Sequence, residues 1–230
     1  MEINKVIFEG IMEEENRTLL YWINFITFLS GALNVAGMLA FSISISHLTG
    51  NLSRVPIDIF LGNVQNLYKV LGVLIMFLCG AIVSGILIGE KEFKLKKRYG
   101  VTFIVMALIV GISNKLLYGN IVFMLILAML MGLQNGLFIM YKGTVIRTTH
   151  ITGSVTDLGI YIGHYLKGNK SVAWRLRFFT YNISSFTLGG ILGVIGYKTF
   201  EENFFYFFSL AYVLVALFYF EIRRRYYSQV

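Results

Sequence analysis

Charge is scarce in this chain. Of its 230 residues only 14% are Asp, Glu, Lys or Arg, against 57% hydrophobic. An ordinary soluble domain carries about 25% charged and about 45–50% apolar residues. So few charges cannot cover the surface of a soluble fold of this length. A soluble enzyme, a disordered regulator and a nucleic-acid module are therefore excluded, despite the net charge of +8. Cysteine is nearly absent: Cys79 stands alone in an apolar run, so no intrachain disulfide can form. It reads as a small packed side chain. The N-terminal stretch, with Glu13-Glu14-Glu15, lacks a basic n-region and a small-residue cleavage site. No cleaved signal peptide is expected, and the first span serves as its own targeting signal. Zinc-type Cys/His spacing and a His-Glu-x-x-His helix are missing. So are a nucleophile elbow, a phosphate loop and paired inward carboxylates. The expectation is a protein that is not an enzyme and holds no metal or cofactor.

What is present is apolar length. The mean hydropathy is +0.71. Six stretches, roughly 19–45, 68–89, 101–118, 121–141, 178–197 and 203–221, meet the requirement of about 20 mostly apolar residues for a spanning helix. None has a charge in its central part, where one Lys or Asp would cost about 2.5–3.5 kcal/mol. The runs are continuous and too long for barrel strands, which alternate, and lipid then leaves only helices. Six spans put both termini on one side together with the second and fourth loops. Sixteen Lys and Arg fall on that side, with runs at Lys94–Arg98 and Arg223–Arg225; Arg54, Lys69, Lys115 and Lys198 fall opposite. Both termini are therefore expected in the cytoplasm, with the basic runs against anionic headgroups, so that membrane lipid is a partner and nucleic acid is not. Tyr21, Trp22, Tyr226 and Tyr227 are expected as headgroup-level anchors.

The chain also repeats itself. Ser46-His47-Leu48-Thr49-Gly50-Asn51 returns as Thr149-His150-Ile151-Thr152-Gly153-Ser154. Each copy follows a span with a small-and-amide signature, Gly31-Ala32-Leu33-Asn34 or Gly132-Leu133-Gln134-Asn135. Each precedes a stretch with one acid, Asp58 or Asp157, and then a glycine-rich span around Gly80 or Gly189. A unit of three spans is odd, so the second copy must enter the membrane from the opposite side. The fold class expected is all-α: a polytopic membrane protein with six transmembrane helices as two inverted three-helix repeats. Residues 1–18 form a cytoplasmic segment, 19–222 one membrane domain (repeats about 19–118 and 119–222) and 223–230 a basic tail. Gly80-x-x-x-Ser84, Gly85-x-x-x-Gly89 and Gly189-x-x-x-Gly193 let helices approach closely in lipid, and the second and fifth spans are expected to cross each other.

The candidate site follows from the repeat. A glycine after polar residues permits a break, and Asn51 and Ser154 suit N-caps of two short helices, about 51–63 and 154–167. Such breaks need protein or a watery cavity around them, and helix N-termini facing a cavity favour anions. The residues expected to line one central path are Asn34, His47, Thr49, Gly50, Asn51, Gln134, Asn135, His150, Thr152, Gly153 and Ser154. Asn24 reads as interhelical hydrogen-bond glue, His164 as a loop residue, and Asp58 and Asp157 as interfacial and solvated.

Leu48-Thr49-Gly50-Asn51, Gly132-Leu133-Gln134-Asn135-Gly136 and the run from Thr148 to Gly159 together resemble the YoaK-like family of bacterial six-span membrane proteins, a domain of unknown function. The resemblance covers about residues 15–222. It implies a bacterial plasma-membrane protein of this architecture and no established substrate. The chain departs from the family at Asn34, where an acidic residue is common, so a proton-coupled mechanism is not implied. Two functions remain open on the sequence. One is a transporter or exporter of an unknown small solute with a midplane site between inverted repeats. The other is a non-transporting scaffold, lipid-binding or partner-binding subunit. At 26.1 kDa the chain is small for a complete transporter, which leaves a homodimer open.

Overall fold

The computed structural model describes residues 2–88, 94–137, 144 and 146–228, and of residues 2–16 only the backbone. Gly89, Lys91, Lys142 and the end of the span expected over 121–141 lie outside the described residues. The described residues form helices and no strand. In chain order these are α1 (Glu2–Phe41), α2 (Leu48–Phe60), α3 (Val64–Ile88), α4 (Lys97–Leu117), α5 (Ile121–Gly136), α6 (Ile151–Leu166), α7 (Ala173–Phe200) and α8 (Phe204–Ser228). Each expected apolar stretch falls, to within a residue, on one helix over its described part, except that 19–45 runs past the end of α1 at Phe41, and the two expected short helices are α2 and α6.

Four segments are long and apolar enough to cross a membrane by length and composition: Arg17–Phe41, Val64–Ile88, Lys97–Leu117 and Lys170–Ser228. The last holds two helices. Glu201 adopts a positive φ of 47° and opens the short turn Glu201–Asn203 that separates α7 from α8, and Asn114 Nδ2 donates to the Glu202 carbonyl at 3.1 Å to hold that turn. The remaining apolar helix, α5, has 16 residues, about 24 Å at 1.5 Å per residue and shorter than the ~30 Å hydrocarbon core. Asn120 starts it, its side chain accepting the Val122 N–H at 2.9 Å.

The outward faces state what solvent the helices expect. Leu71, Ile75, Leu78, Ile82 and Ile86 form an exposed stripe on α3; Leu188, Ile191, Leu192 and Ile195 do so on α7, and Ile104, Leu108, Ile112 and Leu116 on α4. Apolar patches of this extent on several helices mark a lipid-facing surface. By contrast α1, in its apolar part, and α5 are largely buried.

The main pairings are α1 with α7, α3 with α5 and α4 with α8. The first two are built alike. A Cβ at Gly31 would strike the Phe186 carbonyl, and one at Gly132 the Phe77 carbonyl; a Cβ at Gly189 would strike the Phe28 carbonyl, and one at Gly80 the Met129 carbonyl. Backbone touches backbone at all four points. The glycines therefore act in close packing, but the partners differ from those expected: α3 packs on α5 and α7 on α1, and the main contacts of the second and fifth spans are not with each other.

Aromatic rings fill both ends. Trp22 meets Phe103 edge-on at 5.7 Å, and Phe123 meets Phe205 edge-on at 5.1 Å. Trp22 is fully buried, and its Nε1 donates to the Val215 carbonyl at 2.9 Å. It ties α1 to α8 and is no headgroup anchor. Tyr21 beside it is exposed, as an anchor would be. At the other end the Tyr118 and Tyr197 hydroxyls lie 3.0 Å apart.

Candidate functional site

Between α1 and α2 the chain turns back on itself. Ser42, at φ 61°, ends the helix, and the five residues after it run to α2. Asn34 Oδ1 gathers this turn: it accepts from the Ser44 and Ser46 hydroxyls, each at 2.8 Å, and from the Ser46 N–H at 3.2 Å. The segment before α6 is held in the same way, with Asn135 Oδ1 accepting the Thr149 N–H at 3.2 Å. Asn34 and Asn135, and Ser46 and Thr149, occupy matching places in the two sequence copies.

The residue before each short helix is a histidine, not Asn51 or Ser154. His47 and His150 stand at the N-cap positions, and neither side chain makes a capping hydrogen bond. The helices thus begin three residues earlier than expected. The glycine of each Thr-Gly pair has a steric reason: a Cβ at Gly50 would strike the His47 ring, and one at Gly153 the His150 ring. The glycine leaves room for each imidazole to lie across its own helix's first turn. Asn51 and Ser154 are buried one turn in. Asn51 Nδ2 donates to the Ser44 carbonyl at 2.7 Å. Ser154 Oγ donates to Asn182 Oδ1 at 3.2 Å, and Asn182 Nδ2 donates to Thr27 Oγ1 at 3.0 Å, which joins α6, α7 and α1.

Both first turns open on one cavity of about 1230 Å³. It exceeds the ~300–1,000 Å³ of a usual small-molecule pocket. Of the expected site residues, Asn34, His47, Thr49, Asn135, His150, Thr152, Gly153 and Ser154 line it. Three do not. Gly50 packs under His47, Asn51 braces the turn, and Gln134 is fully buried behind the wall. Gln134 donates through Nε2 to Ser30 Oγ and to Thr148 Oγ1, and its Oε1 accepts the Tyr212 hydroxyl at 2.8 Å. Apolar rings complete the wall, Phe77 and Phe186 among them.

Two charged wall residues were not among those expected. Arg147 precedes the His150 motif, and Asp157 lies in the second turn of α6. No ion pair joins either to another side chain among the described residues. Asp157 is half-buried on the cavity wall, whereas Asp58 is buried and accepts from Asn66 Nδ2. The two acids are therefore not equivalent, and Asp58 is not solvated. Their positions in the motif could have shown this: Asp157 falls three residues after Ser154, while Asp58 falls seven after Asn51. Among the described residues no group of three His, Cys, Asp or Glu side chains is placed to hold a metal ion.

Apolar stripes around a helical core define a multi-pass helical membrane protein. Residues 23–219 match the family described as "Protein of unknown function (DUF1275)", and the chain belongs to it; this is the YoaK-like family that its motifs resemble. No curated protein and no solved structure matches the chain.

Proposed function

We propose that this chain is a transporter or exporter of a small solute, built from two inverted three-span repeats, with the cavity as its midplane site. In this reading α1, α3 and α4 are the spans of one repeat, and α5, α7 and α8 those of the other. The short helices α2 and α6 are the broken elements. The protein sits in a bacterial plasma membrane with both termini in the cytoplasm.

The observation that carries the reading is the cavity itself. Two copies of one motif, each at the N-terminus of a short helix and each held by an asparagine Oδ1, line the same space. Discontinuous helices meeting near the midplane at a repeat interface are a recurrent way of building transporter sites. The matched glycine contacts and matched edge-on aromatic pairs support the same duplication. Rocking one repeat against the other around such a site gives alternating access.

The test is flux. Purified protein in proteoliposomes is expected to move at least one solute of a broad metabolite panel. The Thr49→Val/Thr152→Val double variant is expected to lose most of that flux while keeping its unfolding temperature. Equal flux by wild-type and variant for every solute would overturn the reading in favour of a non-transporting subunit.

A further inference from the structure

We infer that the cavity takes the oxyanion of a small soluble solute, a carboxylate or a phosphate; this deepens the reading of the cavity as a solute site and rests on it. The argument starts from what the wall has left to offer. The first N–H groups of a helix have no intrahelical acceptor, and neither α2 nor α6 has a side chain capping them. Two sets of backbone donors, each at the positive end of a helix dipole, therefore border one cavity.

A second observation points the same way. Asn135 is more than nine-tenths buried and lines the cavity. Its Oδ1 is taken by the Thr149 N–H, which fixes the amide's orientation. Its Nδ2 has no hydrogen-bond partner among the described residues, and it is not among the fully enclosed orphan atoms. A buried donor left open to a cavity awaits an acceptor. Asn34 repeats the arrangement: its Oδ1 is saturated by three donors, while its Nδ2 has only the Met38 sulfur at 3.8 Å. In both residues the amide oxygen is held by the protein, and the amide NH2 is the group left for a ligand on the cavity wall. Arg147 adds a guanidinium with no ion pair among the described residues, suited to a carboxylate or phosphate in a bidentate grip. One carboxylate, Asp157, is also on the wall. It repels an anion at its own position and so favours the oxyanion at the two helix N-termini.

The experiment measures binding without transport. Full-length protein in phosphatidylcholine nanodiscs is titrated with sodium phosphate, sodium succinate, ethanolamine hydrochloride and glucose, following the unfolding temperature and heat of binding. Phosphate or succinate is expected to raise the unfolding temperature saturably; ethanolamine and glucose are not. Asn135→Asp keeps an oxygen for the Thr149 N–H and replaces the open donor by a carboxylate oxygen. It is expected to weaken anion binding about tenfold or more. Arg147→Gln, at an exposed position, is expected to do the same and serves if Asn135→Asp does not fold. Nanodiscs containing phosphatidylglycerol separate the two sources of the chemistry. A response to soluble anion that survives in them supports a soluble solute. Stabilisation by phosphatidylglycerol alone, with no response to either soluble anion, overturns that assignment in favour of a lipid headgroup. Binding of ethanolamine or glucose with none of phosphate or succinate overturns the inference, as does anion binding equal in wild-type and both variants, or no anion response in either disc. Flux of a neutral solute without anion binding would sink this inference and leave transport standing. Anion binding without flux would do the reverse.

Discussion

A single methyl group separates the residues that hold the helices together from those that only decorate them. At Gly31 and Gly132 the space a Cβ would need is filled by a main-chain carbonyl of the facing helix, which cannot rotate away. Gly31→Ala and Gly132→Ala must therefore push α1 from α7 and α3 from α5. Each is expected to destabilise the protein by about 1–3 kcal/mol, the usual cost of overpacking. Gly85, with nothing within 4 Å of its Cβ position, is the control: Gly85→Ala is expected to be neutral or slightly stabilising through helix propensity. Thermal unfolding in detergent reads all three, and a loss at Gly85 as large as at Gly31 would refute the packing account. At this scale much of the site was legible, because a duplicated motif needs no structure to be seen. What was not legible is direction. Gln134 and Asn135 are neighbours in sequence, yet one step along a helix turns a side chain by about 100°. One amide therefore reaches the cavity and the other the core. Trp22 shows the same limit, since an indole suits an interface or an interior equally well until a partner such as the Val215 carbonyl is known.

The short helices were legible as elements but not in their starts. Asn and Ser are strong N-cap formers, and that propensity drew the expected boundary to Asn51 and Ser154. The turn before each helix is instead held from α1 or α5, by Asn34 or Asn135. With that tertiary support the N-cap position can be given to a histidine that faces the cavity. Once its start is held, α2 needs its far end held too, and Asp58 does this. Its carboxylate is buried, accepts from Asn66 Nδ2 on α3, and its carbonyl accepts the Asn63 N–H at 2.8 Å. Asn66→Ala would leave a buried carboxylate oxygen without its donor, a loss expected to cost about 1–3 kcal/mol. Asp58→Asn, which can still accept from Asn66, is expected to cost less. Unfolding temperatures of the two variants check the order; a reversed order would mean that α2 is held by its apolar contacts rather than by this bond. The matching end of α6 has a tyrosine, Tyr161, stacked on Phe179 of α7 at 5.8 Å, so the two copies secure the same place by different chemistry.

Over the whole molecule the pattern is one of paired solutions. Gly31 and Gly132, Trp22 and Phe123, His47 and His150 each meet a counterpart contact on the other side. Hydropathy alone could place the apolar helices, because each is a continuous apolar run. It could not say which helix lies against which, because lipid tails are as apolar as the side chains and pairing in a bilayer is decided by close contact and hydrogen bonds. The polarity of the two halves is the remaining consequence. If they are inverted, the loop after α2 and the loop after α6 open on opposite sides of the membrane. The basic residues agree: Lys167, Lys170, Arg175 and Arg177 cluster after α6, while Arg54 and Lys69 alone flank the α2–α3 turn, and cytoplasmic loops carry the excess of Lys and Arg. Leu61 and Lys167 are exposed at these two places. On a Cys79→Ala background, Leu61→Cys is expected to react with an impermeant maleimide in intact cells, and Lys167→Cys only after permeabilisation. Labelling of both from the same side would mean that the two halves share one orientation. The cavity would then not lie between inverted units, and alternating access around it would lose its structural basis.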